Sequence, residues 1–194
     1  MDSPKLKIAV ILGSIRKIRR GGRVAKWLMG QLKQYQEAEF ELLDLRDYPL
    51  PFYDEVDSPE GLEGKYTVPM AKKWASKIGE KDGFIVITPE YNHGPPAVLK
   101  NALDYVYREW NKKPITFISY APGMGSGIRS VEQLRLNSIE LQMAPLREAL
   151  HISRVLKTFD EEGNMIIETP YNKKLETTIT ELLWWTKALK SVRE

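Results

Sequence analysis

The chain has 194 residues, of which 42% are apolar and 28% charged, and its formal net charge is +3. This composition is typical of a soluble globular protein, and the length favours a single domain over residues 1–194 with one sizeable core. The absence of cysteine excludes disulfide scaffolds, thiol redox pairs and thiolate metal sites. No apolar run approaches the roughly 18 residues that span a membrane, and Lys5 and Lys7 do not fit a signal peptide. We therefore expect a cytoplasmic protein without membrane contacts.

Apolar runs of strand length alternate with helical patterns along the chain. Strands are predicted at Leu6–Leu12, Phe40–Leu45, Gly83–Thr88, Pro114–Tyr120 and Leu146–Ile152. The spacing of apolar residues predicts helices over residues 24–35, 68–78, 96–110, 131–143 and 175–189. Residues 46–65 form a long loop with three prolines, and loops of this length usually serve a function. The alternation predicts an α/β fold, a flavodoxin-like doubly wound sheet of five parallel strands in the order 2-1-3-4-5 with helices on both faces.

Positive charge is concentrated after the first predicted strand. Residues 3–36 contain nine Lys or Arg and no Asp or Glu. Ser14, Arg16 and the helix start at Gly21 and Gly22 would offer a phosphate a hydroxyl, a guanidinium and backbone N–H groups. Neither a Walker P-loop nor a G-x-G-x-x-G pattern follows the strand. The alternatives are a solvated basic turn and a nucleic-acid surface, but the position directly after a strand favours a local anionic ligand.

A second motif follows the third strand, where Pro89–Pro96 carries an aromatic ring, an amide and an imidazole in consecutive positions, Tyr91 to His93. Such a loop predicts a platform for a planar ligand, and the alternative is an ordinary turn rich in Pro, Asn and Gly. We interpret His93 as a helix cap rather than a proton donor. With two His and no Cys in the chain, we expect no metal site.

A glycine loop, Ser119–Gly127, follows the fourth strand. Its glycines would allow close approach of the backbone to a ring system, and the alternative is a flexible loop. Loops after strands one, three and four lie at one edge of such a sheet, next to its switch point. The expected ligand has a phosphate at one end and a polar planar system at the other, which describes FMN. We interpret His151 as a core or edge histidine.

Three motifs carry a family resemblance: Leu12–Arg16, Pro89–Gly94 and Leu99–Asp104. With them the chain resembles the NADPH-dependent FMN reductase family of quinone, azo-dye and chromate reductases, over roughly residues 5–155. The resemblance implies a set of FMN phosphate ligands, in which Arg19, Arg23 and glycine amides substitute for a serine frequent in the family: Ser14, Arg16, Arg19, Gly21, Gly22 and Arg23. It implies a second set beside the isoalloxazine: Pro89, Glu90, Tyr91, Asn92, Tyr120, Gly123 and Gly125.

The resemblance also implies an activity. NADPH or NADH would reduce the bound FMN, and a quinone, azo dye, free flavin or similar small molecule would take the electrons. No catalytic side chain is required, because flavin N5 performs the chemistry. The alternatives are a flavodoxin-type electron carrier and a nucleic-acid-binding or regulatory module, although we expect no nucleic-acid partner.

The assembly expected from the family is a homodimer or homotetramer. The predicted third helix has two apolar stripes, so that one can cover the sheet while the other, bordered by Tyr107, stays exposed as an interface. The alternative is that Trp110 and Tyr107 pack under the tail helix. The stripes are Leu99, Leu103, Val106 and Trp110, and Val98, Ala102 and Tyr105.

Overall fold

The computed structural model describes residues 4–167 and 169–193. The strands are β1 (Leu6–Leu12), β2 (Ala38–Asp44), β3 (Gly83–Pro89), β4 (Pro114–Tyr120), β5 (Ala144–Pro145) and β6 (Leu150–Ile152). The helices are α1 (Gly21–Leu32), α2 (Pro69–Gly79), α3 (Ala97–Asp104), α4 (Ile128–Glu140), α5 (Val155–Thr158) and α6 (Thr169–Arg193). Single 3₁₀ turns lie at Leu45–Asp47 and Arg108–Trp110.

All strand pairs in the sheet are parallel, and the order β2-β1-β3-β4-β5 confirms the prediction. The predicted fifth strand is divided, because β5 and β6 each pair with β4. Pro145 has no N–H with which to continue the ladder, and the carbonyl of Glu148 accepts from the Thr116 hydroxyl at 2.7 Å. Over residues 4–167 and 169–193 the sheet therefore has six strands instead of the five expected.

The core lies on both faces of the sheet, as expected for buried parallel strands. One cluster joins inward residues of β1, β3 and β4 to α2, α3 and α4, and it includes Trp74 and Trp110. The other joins the opposite face to α1, α5 and α6. Trp110 packs edge-on against Trp74 and Phe84, with ring centroids 6.1 and 4.8 Å away. Trp110 therefore belongs to the first cluster, and its alternative place under the tail helix is wrong.

The helix α3 ends at Asp104, six residues earlier than predicted, and the long loop after β2 covers it. The Asn101 amide donates to the Pro51 carbonyl at 2.8 Å and accepts from the Tyr53 N–H at 3.2 Å. The Tyr53 ring lies 5.2 Å from that of Tyr105. Because Ala102 and Tyr105 are only 2% and 1% exposed, the prediction of an exposed apolar stripe on this helix is wrong.

The tail helix α6 is fastened to the far end of the sheet. Asp82, directly before β3, accepts from Lys190, Arg193 and the backbone N–H of Lys7 at 2.9–3.0 Å. This end is opposite to the loops after β1, β3 and β4. Within residues 4–167 and 169–193, no helix combines the length and apolarity of a membrane span.

Candidate functional site

A cleft of about 460 Å³ opens at the carboxyl edge of the sheet. This volume falls within the roughly 300–1,000 Å³ that small-molecule sites occupy. The loops after β1, β3 and β4 surround it, as the sequence predicts. Its wall also includes two residues of α5, Val155 and Leu156, which no sequence motif indicates. The lining residues are Arg16, Ile18, Arg19, Arg20, Pro89, Glu90, Tyr91, Tyr120, Pro122, Val155 and Leu156.

Tyr91 connects the loop after β3 to the loop after β1. Its hydroxyl lies 2.8 Å from Oγ of Ser14, which is fully buried at the end of β1. The guanidinium carbon of Arg16 lies 5.9 Å from the Tyr91 ring centroid, within cation–π distance. Arg16 and Tyr91 also line a second cleft of about 540 Å³ on the side of Leu50, so they form the wall between the two.

Arg19 is bound within the protein and not simply presented to a ligand. Its Nη1 donates to Asp44 Oδ1 at 2.6 Å and to the Ser14 carbonyl at 2.7 Å, and its Nη2 also pairs with Asp44. Burial alone would raise the pKa of Asp44, but hydrogen bonds from Arg19 and the Arg46 N–H outweigh it and lower the pKa. Arg19 thus ties the loop after β1 to β2, and fewer of its donors face the cleft than the sequence suggested.

The two glycines at the start of α1 have different surroundings. A Cβ on Gly21 would lie 2.6 Å from the Tyr120 hydroxyl and 2.9 Å from Leu12 Cδ1, whereas a Cβ on Gly22 would meet no atom of the described residues within 4 Å. Gly21 therefore lets Tyr120 reach the first turn of α1. Burial and the neighbouring Tyr91 raise the pKa of Tyr120, so its hydroxyl stays protonated beside the helix start.

Four of the predicted phosphate residues do not line the cleft: Ser14, Gly21, Gly22 and Arg23. Ser14 is buried beneath it, and Gly21 supports Tyr120. Arg23 lies beside the turn at Gly163, where an added Cβ would be 3.4 Å from the Arg23 Cα. Arg20, which is not among the ligands predicted from the sequence, also lines the cleft. The sequence feature that indicates Arg20 as a candidate ligand is its position in the basic cluster, between Arg19 and Gly21.

The segment Tyr91–Gly94 is a two-residue hairpin turn. Tyr91 and Gly94 exchange both backbone hydrogen bonds, at 2.9 and 3.0 Å. Asn92 and His93 have φ of 50° and 68°, the left-handed values that a type I′ turn requires at both central positions. Both side chains are exposed. The residue before α3 is Pro96, and within the described chain no side chain caps this helix, so the capping role predicted for His93 is wrong.

Glu90 joins the loop after β3 to α4. Its carboxylate accepts from the Arg129 backbone N–H at 3.2 Å and from Arg129 Nη1 at 2.8 Å. The Glu90 side chain is only 11% exposed. A carboxylate in the first turn of a helix is favoured by the helix dipole. Glu90 lines the cleft and at the same time supplies the first turn of α4 with an acceptor.

The glycine loop after β4 leaves open space at one of its two predicted glycine ligands, Gly123, whereas a Cβ on Gly125 would lie 3.3 Å from Arg129 Nη1. Gly123 and Gly125 are exposed, and within the part of the chain that the structure describes a Cβ on Gly123 would meet nothing within 4 Å. Beyond Tyr120, at the end of β4, Pro122 is the residue of this loop that lines the cleft. Ser126 and Gly127 follow with φ of 54° and 81°, and α4 begins at Ile128, three residues earlier than predicted.

The chemistry of the cleft fits the expected flavin mononucleotide. Arg16 and Arg20 supply positive charge beside the N-terminus of α1, where the dipole also favours an anion. Pro89, Tyr91 and Pro122 line the same cleft and supply flat or apolar surface. This combination suits an elongated ligand with one anionic end and one planar end.

Comparisons with known proteins agree with this chemistry. The family model for NADPH-dependent FMN reductase matches residues 6–157. An NAD(P)H-dependent FMN reductase of Schizosaccharomyces pombe is 39% identical over 148 residues, covering 76% of this chain and 74% of the relative. A 2-hydroxy-1,4-benzoquinone reductase of Burkholderia sp is 28% identical over 189 residues, covering 94% and 97%. Among solved structures, the flavoenzyme NAD(P)H:(acceptor) oxidoreductase of Paracoccus denitrificans has a TM-score of 0.76 at 23% identity, covering 94% of this chain and 98% of its own.

Proposed function

Because this chain belongs to the NADPH-dependent FMN reductase family, we propose that it is an FMN-dependent oxidoreductase. It takes electrons from NADPH or NADH and passes them to a quinone, and azo dyes and free flavins are further acceptors. The observation that carries the proposal is the cleft at the switch point of the sheet, which is lined by both arginines and flat side chains.

We assign the phosphate end of the cleft to Arg16 and Arg20 together with the first turn of α1 at Gly21 and Gly22. Arg16 lines the cleft and is exposed, so its fork is accessible to an incoming phosphate. Arg19 acts mainly by holding the Ser14 carbonyl in place. Tyr120 contributes a neutral hydroxyl close to Gly21, so that it adds no negative charge near the phosphate.

We assign the planar end to Pro89 and Tyr91 and to the glycine loop from Pro122 to Gly125. Tyr91 is held through its hydroxyl by the buried Ser14, which fixes the direction of its ring. Asn92 stands exposed at the tip of the hairpin turn, where its amide is available to a polar ring edge. The open space at Gly123 leaves room for a ring beside the backbone.

When bound, FMN supplies the redox chemistry between the nicotinamide and the acceptor. The chain's own residues bind the phosphate, orient the ring system and exclude water from one side of it. Backbone N–H groups near Asn92 and in the glycine loop are the donors in reach of the ring edge, and preorganised donors of this kind stabilise developing negative charge.

The visible absorption spectrum of the purified protein tests flavin binding directly. Calorimetric titration with FMN and FAD then tests the ligand's size, because a single phosphate end predicts much weaker binding of FAD. Oxidation of NADPH or NADH with menadione separates a reductase from an electron carrier, which would turn over no menadione. Equal affinities for the two flavins, or no menadione-dependent oxidation, would contradict the proposal.

We also infer a homodimer or homotetramer, but with a changed interface. The loop that covers α3 presents Phe52 with 80% of its surface exposed, next to the cleft shared by Arg16 and Tyr91. A large exposed ring of this kind favours an interface at the loop. Light scattering during size exclusion measures the mass, and a Phe52→Glu variant should shift it toward the 22.3 kDa monomer.

We further propose a cytoplasmic location, since NADPH and NADH are intracellular reductants.

A further inference from the structure

A row of polar side chains crosses the sheet directly beneath the loops of the cleft. Thr88 of β3 and His151 of β6 are both register partners of Ser119 in β4. Thr88 and Ser119 are fully buried. On the same face of β4, Ile115 and Phe117 belong to the apolar core. Because buried polar groups need hydrogen-bond partners, the partners of this row indicate its role.

The hydroxyl of Ser119 has two partners, which together define its direction. Its Oγ lies 2.6 Å from the carbonyl oxygen of Ser126 and 2.7 Å from Nδ1 of His151. Because a carbonyl oxygen carries no proton, the Ser119 O–H must donate to Ser126. The Nδ1 of His151 is then the donor to Ser119 Oγ.

The surroundings of His151 agree with a neutral imidazole in this bond. Burial lowers the pKa of His151, and the positive charges of Arg135 and Lys174 lower it further, while Glu132 opposes them. The neutral ring therefore carries its proton on Nδ1, where Ser119 accepts it. Two consecutive hydrogen bonds therefore run from the His151 N–H to the Ser119 hydroxyl and from that hydroxyl to the Ser126 carbonyl.

These two hydrogen bonds end at Ser126, in the second half of the glycine loop. The first half of the loop is held by α5, since the N–H groups of Val155 and Arg154 donate to the carbonyls of Ala121 and Gly123 at 3.0 and 3.2 Å. The second half contains Ser126 in the left-handed region. The Ser119 hydroxyl bonds this half to the strand beneath it.

The packing around Gly127 shows how tightly this second half is seated. Gly127 has φ of 81°, and a Cβ placed on it would lie 2.9 Å from Cβ of Ser119. The loop backbone therefore rests directly on Ser119, and the direction of one hydroxyl decides where the Ser126 carbonyl sits.

We propose that Ser119 and His151 are positioning residues for the flavin site. His151 orients the Ser119 hydroxyl, which fixes the Ser126 carbonyl and with it the second half of the glycine loop, whose first half lines the cleft at Pro122. The proposal rests on the proposed function for the identity of the ligand, whereas the anchoring of the loop does not depend on any ligand.

The test compares Ser119→Ala with Thr116→Val as its matched control. Thr116 is also fully buried on β4, and its hydroxyl likewise donates to a backbone carbonyl, that of Glu148, but it lies away from the cleft loops. Loss of one neutral hydrogen bond corresponds to roughly a two- to tenfold change in an equilibrium constant. We expect the FMN dissociation constant, measured by flavin fluorescence on the apoprotein, to rise by about that factor in Ser119→Ala and by less than about twofold in Thr116→Val.

A pair of variants at His151 tests whether His151 donates the hydrogen bond to Ser119. Asn places an amide N–H close to the position of Nδ1, whereas Leu removes the donor. We expect His151→Asn to keep wild-type FMN affinity and His151→Leu to weaken it in the same direction as Ser119→Ala. The circular dichroism of the bound flavin should change in Ser119→Ala and His151→Leu, because the loop beside the ring shifts.

Hydrogen exchange of the apoprotein supplies a readout that requires no flavin. Amides of residues 125–128 should exchange faster in Ser119→Ala and His151→Leu than in the wild type or in Thr116→Val. If exchange in this loop and FMN affinity in Ser119→Ala both match those of Thr116→Val, the positioning role is refuted. If the wild type binds no FMN, the proposed function fails, and the exchange data still decide whether Ser119 anchors the loop.

Discussion

Replacing Asp44 with Asn tests how Arg19 contributes to the cofactor site. In the structure Arg19 bridges Asp44 and the Ser14 carbonyl, and the side chains of the ion pair are only 10% and 21% exposed. Asn keeps the size of the side chain and one oxygen acceptor but removes the charge. Because hydrogen bonds to charged groups contribute roughly 1.5–3 kcal/mol, the free energy of unfolding of the apoprotein should fall by about 2 kcal/mol.

For a chain of this length, such a change lowers the melting temperature by roughly 4–8 °C. The matched control is Glu41→Gln, which lies on the same strand as Asp44, β2, but away from the cleft. It removes a carboxylate that pairs with Lys77 and Lys81. This control should lose stability without any loss of FMN affinity. Asp44→Asn should lose both, with FMN affinity weakened about threefold or more, because the loop after β1 is no longer held at Ser14.

The opposite outcome would refute this reasoning. If Arg19 is a phosphate ligand that Asp44 merely competes for, neutralising Asp44 would release the guanidinium and tighten FMN binding. Fluorescence titration of the apoprotein with FMN distinguishes the two, and unchanged or tighter binding in Asp44→Asn contradicts a positioning role for Arg19.

The same variant also carries a prediction about pH. The folded-state pKa of Asp44 is lower than its unfolded value of about 4. The stabilisation by the charged pair is therefore complete above about pH 4 and is lost as the pH falls through the lower folded value. Between these values the wild type should lose stability on acidification more steeply than Asp44→Asn, as measured by urea unfolding in this range.

Further predictions concern the cleft loops. Arg16→Ala should weaken FMN binding about tenfold or more and leave the melting temperature of the apoprotein unchanged. An unchanged dissociation constant would show that other arginines bind the phosphate. Gly21→Ala should destabilise the apoprotein by about 1–3 kcal/mol because its Cβ overlaps Tyr120, whereas Gly22→Ala, with open space, should be neutral or stabilising by thermal melting. His93→Gly should raise the free energy of unfolding by about 1 kcal/mol, since Gly adopts φ of 68° without steric penalty; a loss in urea unfolding would contradict this.

Much of the fold could be predicted from the sequence. The strands Leu6–Leu12 and Pro114–Tyr120 have the predicted bounds, because a continuous apolar run buried on both faces of a parallel sheet is a local pattern. The order of the sheet and the edge that bears the cleft follow from the alternation of strands and helices. The loop motifs identified the three chain segments that surround this edge.

The tertiary structure decided which partner each polar side chain takes. Arg19 pairs with Asp44, Tyr91 with Ser14, and Glu90 with Arg129, across 25, 77 and 39 residues of sequence. A guanidinium, hydroxyl or carboxylate can bond to many groups, so its type does not select the partner; the fold selects it by distance and direction.

The same limit applies to burial and to the wall of the cleft. The sequence determined that the second stripe of α3 is apolar, but only the packing of the long proline loop decided that Tyr105 is covered. Val155 and Leu156 line the cleft because α5 packs beside the loop after β4, a contact that no local pattern encodes. Apolar periodicity is a short-range property of the chain and therefore determines strands and helices, whereas covered surfaces and binding walls arise from contacts between segments distant in sequence.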